Sequence, residues 1–355
     1  MAVTIKRIAE LAGVSTGTVD RALHDRGRVD PKVAQRIKQI ARELNYQPNT
    51  VAKSLSVRNR NLKIAVVLHL NTPNRFFDDV IAGINRAREE IRDFGISVDL
   101  YSCKDFDAEY QLQMIEKALD DGANAIIIVP INDDRICRRL NELYERQFPV
   151  AFLTNILEDA NYLSYIGCNY RLSGQIAAGL LNMVRPTGGK LLLFCPSFQM
   201  YGHMLRARGL RTQLEQCYPQ IMLQETVELT GDDIRDYNLT KAALEQYPDT
   251  DTILCPGAFS LGNLQAISDW TALERAKVLC YDYSSRVDAM IRNGNVFAAL
   301  TQCPQEQGYT AVKTVFNYLC MDKMPPFKNN YVRNRIMLKE NLSEVSRVHA
   351  EYNQV

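Results

Sequence analysis

The chain has 355 residues, enough for two or three domains at about 150 residues each. Hydrophobic residues make up 46% and charged residues 23%, with 18 glycines and 13 prolines, which excludes collagenous, low-complexity and wholly disordered chains. The formal net charge of +1 conceals a division: residues 1–60 hold 12 Lys/Arg against 5 Asp/Glu, and residues 61–355 hold 30 against 36.

A basic head of net +7 thus precedes an acidic body of net −6, and a basic block with helical periodicity points to phosphate. The longest apolar run, 125–131, is far shorter than a membrane helix needs, and no charged-then-apolar signal segment opens the chain, so a cytoplasmic protein without a membrane partner is expected. Nine cysteines are scattered singly without a CxxC pair; reduced, buried thiols are expected, with no metal and no cofactor.

In chain order, Thr4 stands before Ile5, Ile8, Ala9, Leu11 and Ala12, a capped helical spacing that Gly13 stops. Ser15 predicts the cap of a second helix to about residue 23, with Val19, Ala22 and Leu23 inward and Thr16, Gly17, Asp20 and Arg21 outward. Two short helices joined by a glycine turn make a helix-turn-helix unit. Asp30-Pro31 opens a third helix in which Val33, Ala34, Ile37, Ile40, Ala41 and Leu44 repeat at helical spacing.

Residues 54–63 are polar and uncapped, which places a boundary near residue 61. Beyond it, apolar runs at 64–70, 96–101, 125–129, 150–153, 190–194, 252–254 and 278–281 predict buried strands, and 78–93, 108–120, 172–184 and 205–216 predict helices. Strands alternating with helices predict an α/β body with doubly wound parallel sheets and a ligand at the carboxyl ends of strands. Neither GxGxxG nor GxxxxGK[ST] follows any strand.

The ordered set Thr4-Ile5-Lys6, Ala12-Gly13-Val14-Ser15, Thr18-Val19, Arg21-Ala22-Leu23, Gly27-Arg28-Val29 and Leu44-Asn45-Tyr46-Gln47-Pro48-Asn49, with Ala52 and Leu55, resembles the LacI/GalR family of bacterial transcription regulators. The resemblance implies an all-α helix-turn-helix headpiece whose second helix enters the major groove, and a hinge that turns helical on operator DNA. Matched by position, Thr16 and Gly17 read bases, Thr18 and Arg21 contact phosphate and bases, Asn49 and Ala52 belong to the hinge, and Leu55 is the minor-groove wedge. Thr4, Ser15, Asp20 and Arg28 complete the expected DNA contacts, although Asp20 departs from the usual serine and Gly17 offers no side chain.

Residues 62–340 resemble the two-lobed periplasmic-binding-protein-like (type I) body of the same family, crossed three times by the chain. The expected division is a headpiece at 1–46, a hinge and linker at 47–61, the body at 62–340 and a tail at 341–355. Within the body, lobe one is expected at about 62–160 plus 291–323, and lobe two at about 161–290 plus 324–340.

The resemblance also implies a cleft in which Asn74, Phe76 and Phe77 stack a sugar ring. Thr154 and Asn155 end a strand, while Arg206, Asp282 and Gln302 supply polar contacts, with Arg206 and Asp282 on facing segments. His69 and Phe259 are added as lining residues, and His203 is weighed as a further one; residues 255–259, Cys-Pro-Gly-Ala-Phe, replace the family's frequent Asn-Asp. Sugars offer apolar faces to aromatics and vicinal hydroxyls to Asp or Arg, which makes such a set chemically coherent.

The expected function is a ligand-responsive, homodimeric repressor that binds pseudo-palindromic operator DNA and senses a sugar, polyol or sugar acid. The alternatives are a sugar-binding transport receptor, which would carry a signal peptide, and a ligand-processing enzyme. The four histidines, at 24, 69, 203 and 349, form no HxxxH or HExxH pattern, and no GxSxG elbow occurs. An apolar wedge at a base step kinks the duplex, so Leu55→Ala should cost specific operator affinity on the order of a few kcal/mol, with ligand binding intact. Fluorescence anisotropy on operator DNA checks this, and equal affinity for both proteins makes Leu55 an ordinary linker residue.

Overall fold

The computed structural model describes residues 4–23, 29–44, 46, 60–69, 76–103 and 106–342. Arg28, Asn49, Ala52, Leu55 and Asn74 lie outside the described residues. The headpiece contains α1 (Ile5–Ala12), α2 (Thr16–Leu23) and α3 (Pro31–Glu43). Its caps are those expected: Thr4 Oγ1 accepts from Arg7 N at 3.3 Å, Ser15 Oγ from Thr18 N at 3.1 Å, and Asp30 Oδ1 from Lys32 N at 2.9 Å. Gly13 ends α1 at φ 68°, a left-handed turn that glycine adopts without steric cost. Ile8, Val19 and Ile37, all fully buried, centre the small core.

The body consists of two α/β lobes. Sheet one has the order β11-β5-β4-β3-β1-β2, with β1 (Lys63–His69), β2 (Ser97–Cys103), β3 (Ala125–Ile128), β4 (Val150–Leu153), β5 (Ser164–Cys168) and β11 (Asn329–Val332) all parallel. Its faces are covered by α4 (Phe76–Ile91) and α12 (Pro304–Met321) on one side and by α5 (Ala108–Asp120) and α6 (Asp134–Glu145) on the other. Sheet two has the order β12-β10-β9-β8-β6-β7, built from β6 (Gly189–Cys195), β7 (Ile221–Glu228), β8 (Thr252–Pro256), β9 (Lys277–Tyr281), β10 (Ala298–Thr301) and the antiparallel β12 (Arg335–Met337). It carries α7 (Tyr170–Val184), α8 (Tyr201–Cys217), α9 (Asp233–Gln246), α10 (Leu261–Asp269) and α11 (Ser285–Arg292). Central strands such as β3, β4 and β8 are buried along their whole length, as two-sided covering requires.

The chain does pass between the sheets three times, but the lobe limits differ from those expected. Ladder pairing places β5 beside β4 in sheet one, although 161–168 was assigned to lobe two. It places β10 beside β9 in sheet two, although 291–323 was assigned to lobe one. The crossings therefore lie at Asn169, at Gln302-Cys303, and at Arg333-Asn334 between β11 and β12. Short or glycine-bearing strands (β5, β10, β11, β12) and the half-exposed edge strand β7 carry too little apolar pattern to be read locally.

Helices α4 and α12 approach by a reciprocal glycine contact. A Cβ at Gly83 would lie 2.0 Å from Gln305 O, and one at Gly308 would lie 2.0 Å from Val80 O. Only a missing side chain permits this crossing. Gly308→Ala should therefore destabilise lobe one by about 1–3 kcal/mol, the usual cost of overpacking; a thermal melt indistinguishable from the parent's rejects the contact as a constraint.

Candidate functional site

On the headpiece, Thr16, Gly17 and Arg21 share the exposed face of α2, and Arg21 Nε donates to Gly17 O at 3.1 Å. Ser15 and Thr18 engage each other at 2.9 Å. Asp20 is half-exposed, and its carboxylate, after burial itself, helps raise the Tyr46 phenol above its ordinary pKa.

In the body, the predicted cleft residues divide between the lobes. Lobe one brings His69 at the end of β1, Phe76 and Phe77 at the start of α4, and Thr154 and Asn155 after β4. Phe76 and Phe77 meet edge to face at 5.5 Å, and His69 lies 5.9 Å from the Phe77 ring and 5.2 Å from Phe106. Both phenylalanines are buried and also pack into the lobe-one core.

Lobe two brings Arg206 from α8 and Asp282 from the end of β9. The expectation that these two lie on facing segments is corrected here, since both belong to the same lobe. Any bridge across the cleft therefore has to run from this pair to lobe-one side chains. Arg206 is 5% exposed, with its guanidinium carbon 4.1 Å from the Tyr281 ring centroid and 4.8 Å from that of Tyr170. A buried cation between two rings exchanges water for their negative faces. Burial opposes the Arg206 charge, but the neighbouring Asp282 carboxylate holds it on, and the net displacement of its pKa is upward. Asp282 is itself raised by burial, with Arg206 and a hydrogen bond from Gln302 Nε2 at 3.0 Å acting in the other direction.

The backbone makes this sandwich possible. A Cβ at Gly202 would lie 2.4 Å from the Tyr170 ring, so the glycine leaves the ring its room. Gly174 and Gly209 let α7 and α8 touch backbone to backbone. Tyr170, Tyr281 and the buried Gln307 were not singled out from sequence; each reads locally as ordinary core or helix surface.

Other side chains tie the lobes together. Asn155 Nδ2 donates to Pro130 O at 2.6 Å, while its Oδ1 accepts from Gly202 N of lobe two at 2.9 Å. Asn132 N donates to Gln199 O at 2.8 Å, the Tyr201 hydroxyl bonds Glu158, and Met200 packs into the lobe-one core. Thr154 spends its hydroxyl on Gln307. Phe259 packs against the Gly231 turn and the outer core of lobe two, and Ser284 Oγ donates to Gly257 O at 2.7 Å. The 255–259 departure thus appears here as a packed turn.

His203, beside Arg206, donates from Nδ1 to Ser197 O at 3.0 Å. Burial first, then the Arg206 charge, lower its pKa from 6.5 to about 3. Below pH 6.5 the unfolded chain gains a proton that the folded one refuses, so stability falls with pH down to about 3. His203→Asn keeps a donor toward Ser197 without a titrating ring. Between pH 7 and 5 the parent should lose a few degrees more of melting temperature than this variant; parallel losses overturn the assignment.

Comparison with known proteins agrees with both parts. Residues 4–49 match the family described as bacterial regulatory proteins, lacI family, and residues 64–323 match the periplasmic binding protein domain. The ribose operon repressor of Bacillus subtilis is 27% identical over 252 residues, 71% of this chain and 72% of that protein. The ribose operon repressor of Haemophilus influenzae is 40% identical over 83 residues, 23% of this chain and 24% of that one. In fold, a glucose-galactose binding protein from Geobacillus stearothermophilus superposes with a TM-score of 0.71 at 17% identity, over 79% of this chain and 98% of that one. The chain belongs to the periplasmic-binding-protein domain family and, through its helix-turn-helix head, to the LacI family of bacterial transcription regulators.

Proposed function

We propose that this regulator is a homodimeric repressor whose heads bind a pseudo-palindromic operator and whose interlobe cleft takes a neutral sugar as effector. The observation that carries the reading is the buried Arg206, stacked between Tyr170 and Tyr281 with the Asp282 carboxylate acting on its charge. A guanidinium and a carboxylate side by side present donors and acceptors to vicinal hydroxyls with no net charge left for a phosphate. The two ribose operon repressors among the relatives make D-ribose the first sugar to try. Among the described residues no helix is long and apolar enough to cross a membrane, and a cytoplasmic site of action fits the DNA partner.

An effector acts on DNA only by binding one lobe arrangement better than another. With a coupling of about 1–3 kcal/mol, operator affinity should change about 5- to 150-fold, and sugar affinity by the same factor. Titration calorimetry with a sugar panel, with and without operator, tests this on the parent, Arg206→Ala and Asp282→Ala. Both variants should lose the sugar response and still bind operator without sugar, with an affinity that falls with salt at a slope of about −0.9 per phosphate neutralised. Unchanged sugar affinity in both variants moves the site elsewhere.

A further inference from the structure

Three non-glycine residues with left-handed backbone stand around the crossing between β10 and α12: Thr154 at φ 63°, Asp282 at φ 63° and Cys303 at φ 50°. A β-branched residue in that region persists only where its surroundings hold it there. Thr154 is held on both sides, since its N–H donates to Ile166 O at 2.8 Å and its carbonyl accepts from the Tyr165 hydroxyl at 3.0 Å. The Thr154 side chain is thereby aimed away from its own strand and at α12.

We infer that Thr154 and Gln307 are positioning residues that set the Gln302 amide and the Asp282 carboxylate through a one-way hydrogen-bond chain from lobe one to lobe two. Thr154 Oγ1 donates to Gln307 Oε1 at 3.1 Å, and Gln307 Nε2 donates to Gln302 O at 2.8 Å and lies 3.5 Å from Gln302 Oε1. Gln302 Nε2 then donates to Asp282 Oδ1 at 3.0 Å. The two ends dictate the direction. A backbone carbonyl only accepts, so Gln307 must turn its nitrogen to Gln302 and its oxygen to Thr154, whose hydroxyl has to donate. An ionised Asp282 only accepts, so Gln302 must turn its nitrogen there and its oxygen to Gln307.

Gln307 has no exposed surface, so water cannot replace either partner. Its neighbour Gly308 sits against Val80 O, which prevents α12 from sliding along α4, the helix that carries Phe76 and Phe77. Gln307 is therefore anchored in lobe one, Asp282 in lobe two, and Gln302 is the link that has to yield when the lobes rotate. The inference goes beyond the proposed sugar cleft but rests on it for its effector arm.

The test uses the full chain and an operator selected from random-sequence DNA. Gln307→Met and Thr154→Val remove the polar groups at nearly constant volume, and Thr154→Ser returns the hydroxyl. In fluorescence anisotropy without sugar, the two apolar variants should shift the operator Kd at least fivefold while melting near the parent; Thr154→Ser should stay within twofold. With D-ribose, the ratio of operator Kd with and without sugar should move toward 1 in the apolar variants only. Apolar variants within twofold of the parent in both measurements overturn the chain, as does Thr154→Ser behaving like Thr154→Val. D-ribose failing to bind the parent counts against the ribose reading alone, because the sugar-free arm still decides the positioning role. If Gln307→Met does not fold, Thr154→Val against Thr154→Ser decides it.

Discussion

A guanidinium taken out of water must find its charge compensation in the protein, and the second lobe is arranged around that demand. Arg206 is 5% exposed and is compensated by two aromatic faces and one carboxylate, one ring from α7 and the other two groups from the end of β9. Tyr170 opens α7, Tyr281 ends β9, and Asp282 follows in a left-handed conformation. The glycines at 174, 202 and 209 let α7 and α8 come close enough to close the sandwich. Removing the cation leaves those groups facing one another with nothing between them, whereas removing one ring leaves a buried charge short of a partner. Effector chemistry and lobe stability are thus served by the same few residues.

The headpiece was legible in the sequence because everything that defines it is local. Thr4, Ser15 and Asp30 cap helices within three residues of themselves, and Gly13 stops α1 by its own backbone freedom. The central strands were legible because burial on both faces writes itself as an apolar run. The second sheet's edge was not, since β7 is half exposed, and β12 gets its place only by antiparallel pairing with β10. The half-exposed Asp20 has a tertiary neighbour that helical spacing does not show, since its charge acts on Tyr46 beyond α3.

The cleft shows the same division. Arg206 and Asp282 were found from their places in a motif, and the expected lobe limits already put both in lobe two, as the strand order does. Gln307 lies in Pro304-Gln305-Glu306-Gln307, which reads as the polar first turn of a surface helix. Only the docking of α12 against sheet one makes it the most enclosed amide of the crossing.

The three crossings have a consequence for motion. One spans a single residue, Asn169, and the others two residues each, Gln302-Cys303 and Arg333-Asn334. An extended residue covers at most about 3.6 Å, so none of these tethers lets the two elements it joins part by more than about 11 Å. Three such short tethers limit translation between the lobes far more than rotation, as in a book whose binding is sewn at three points. The angle is then absorbed by a handful of φ/ψ pairs, among them that of Cys303, which already stands in a region that few residues occupy.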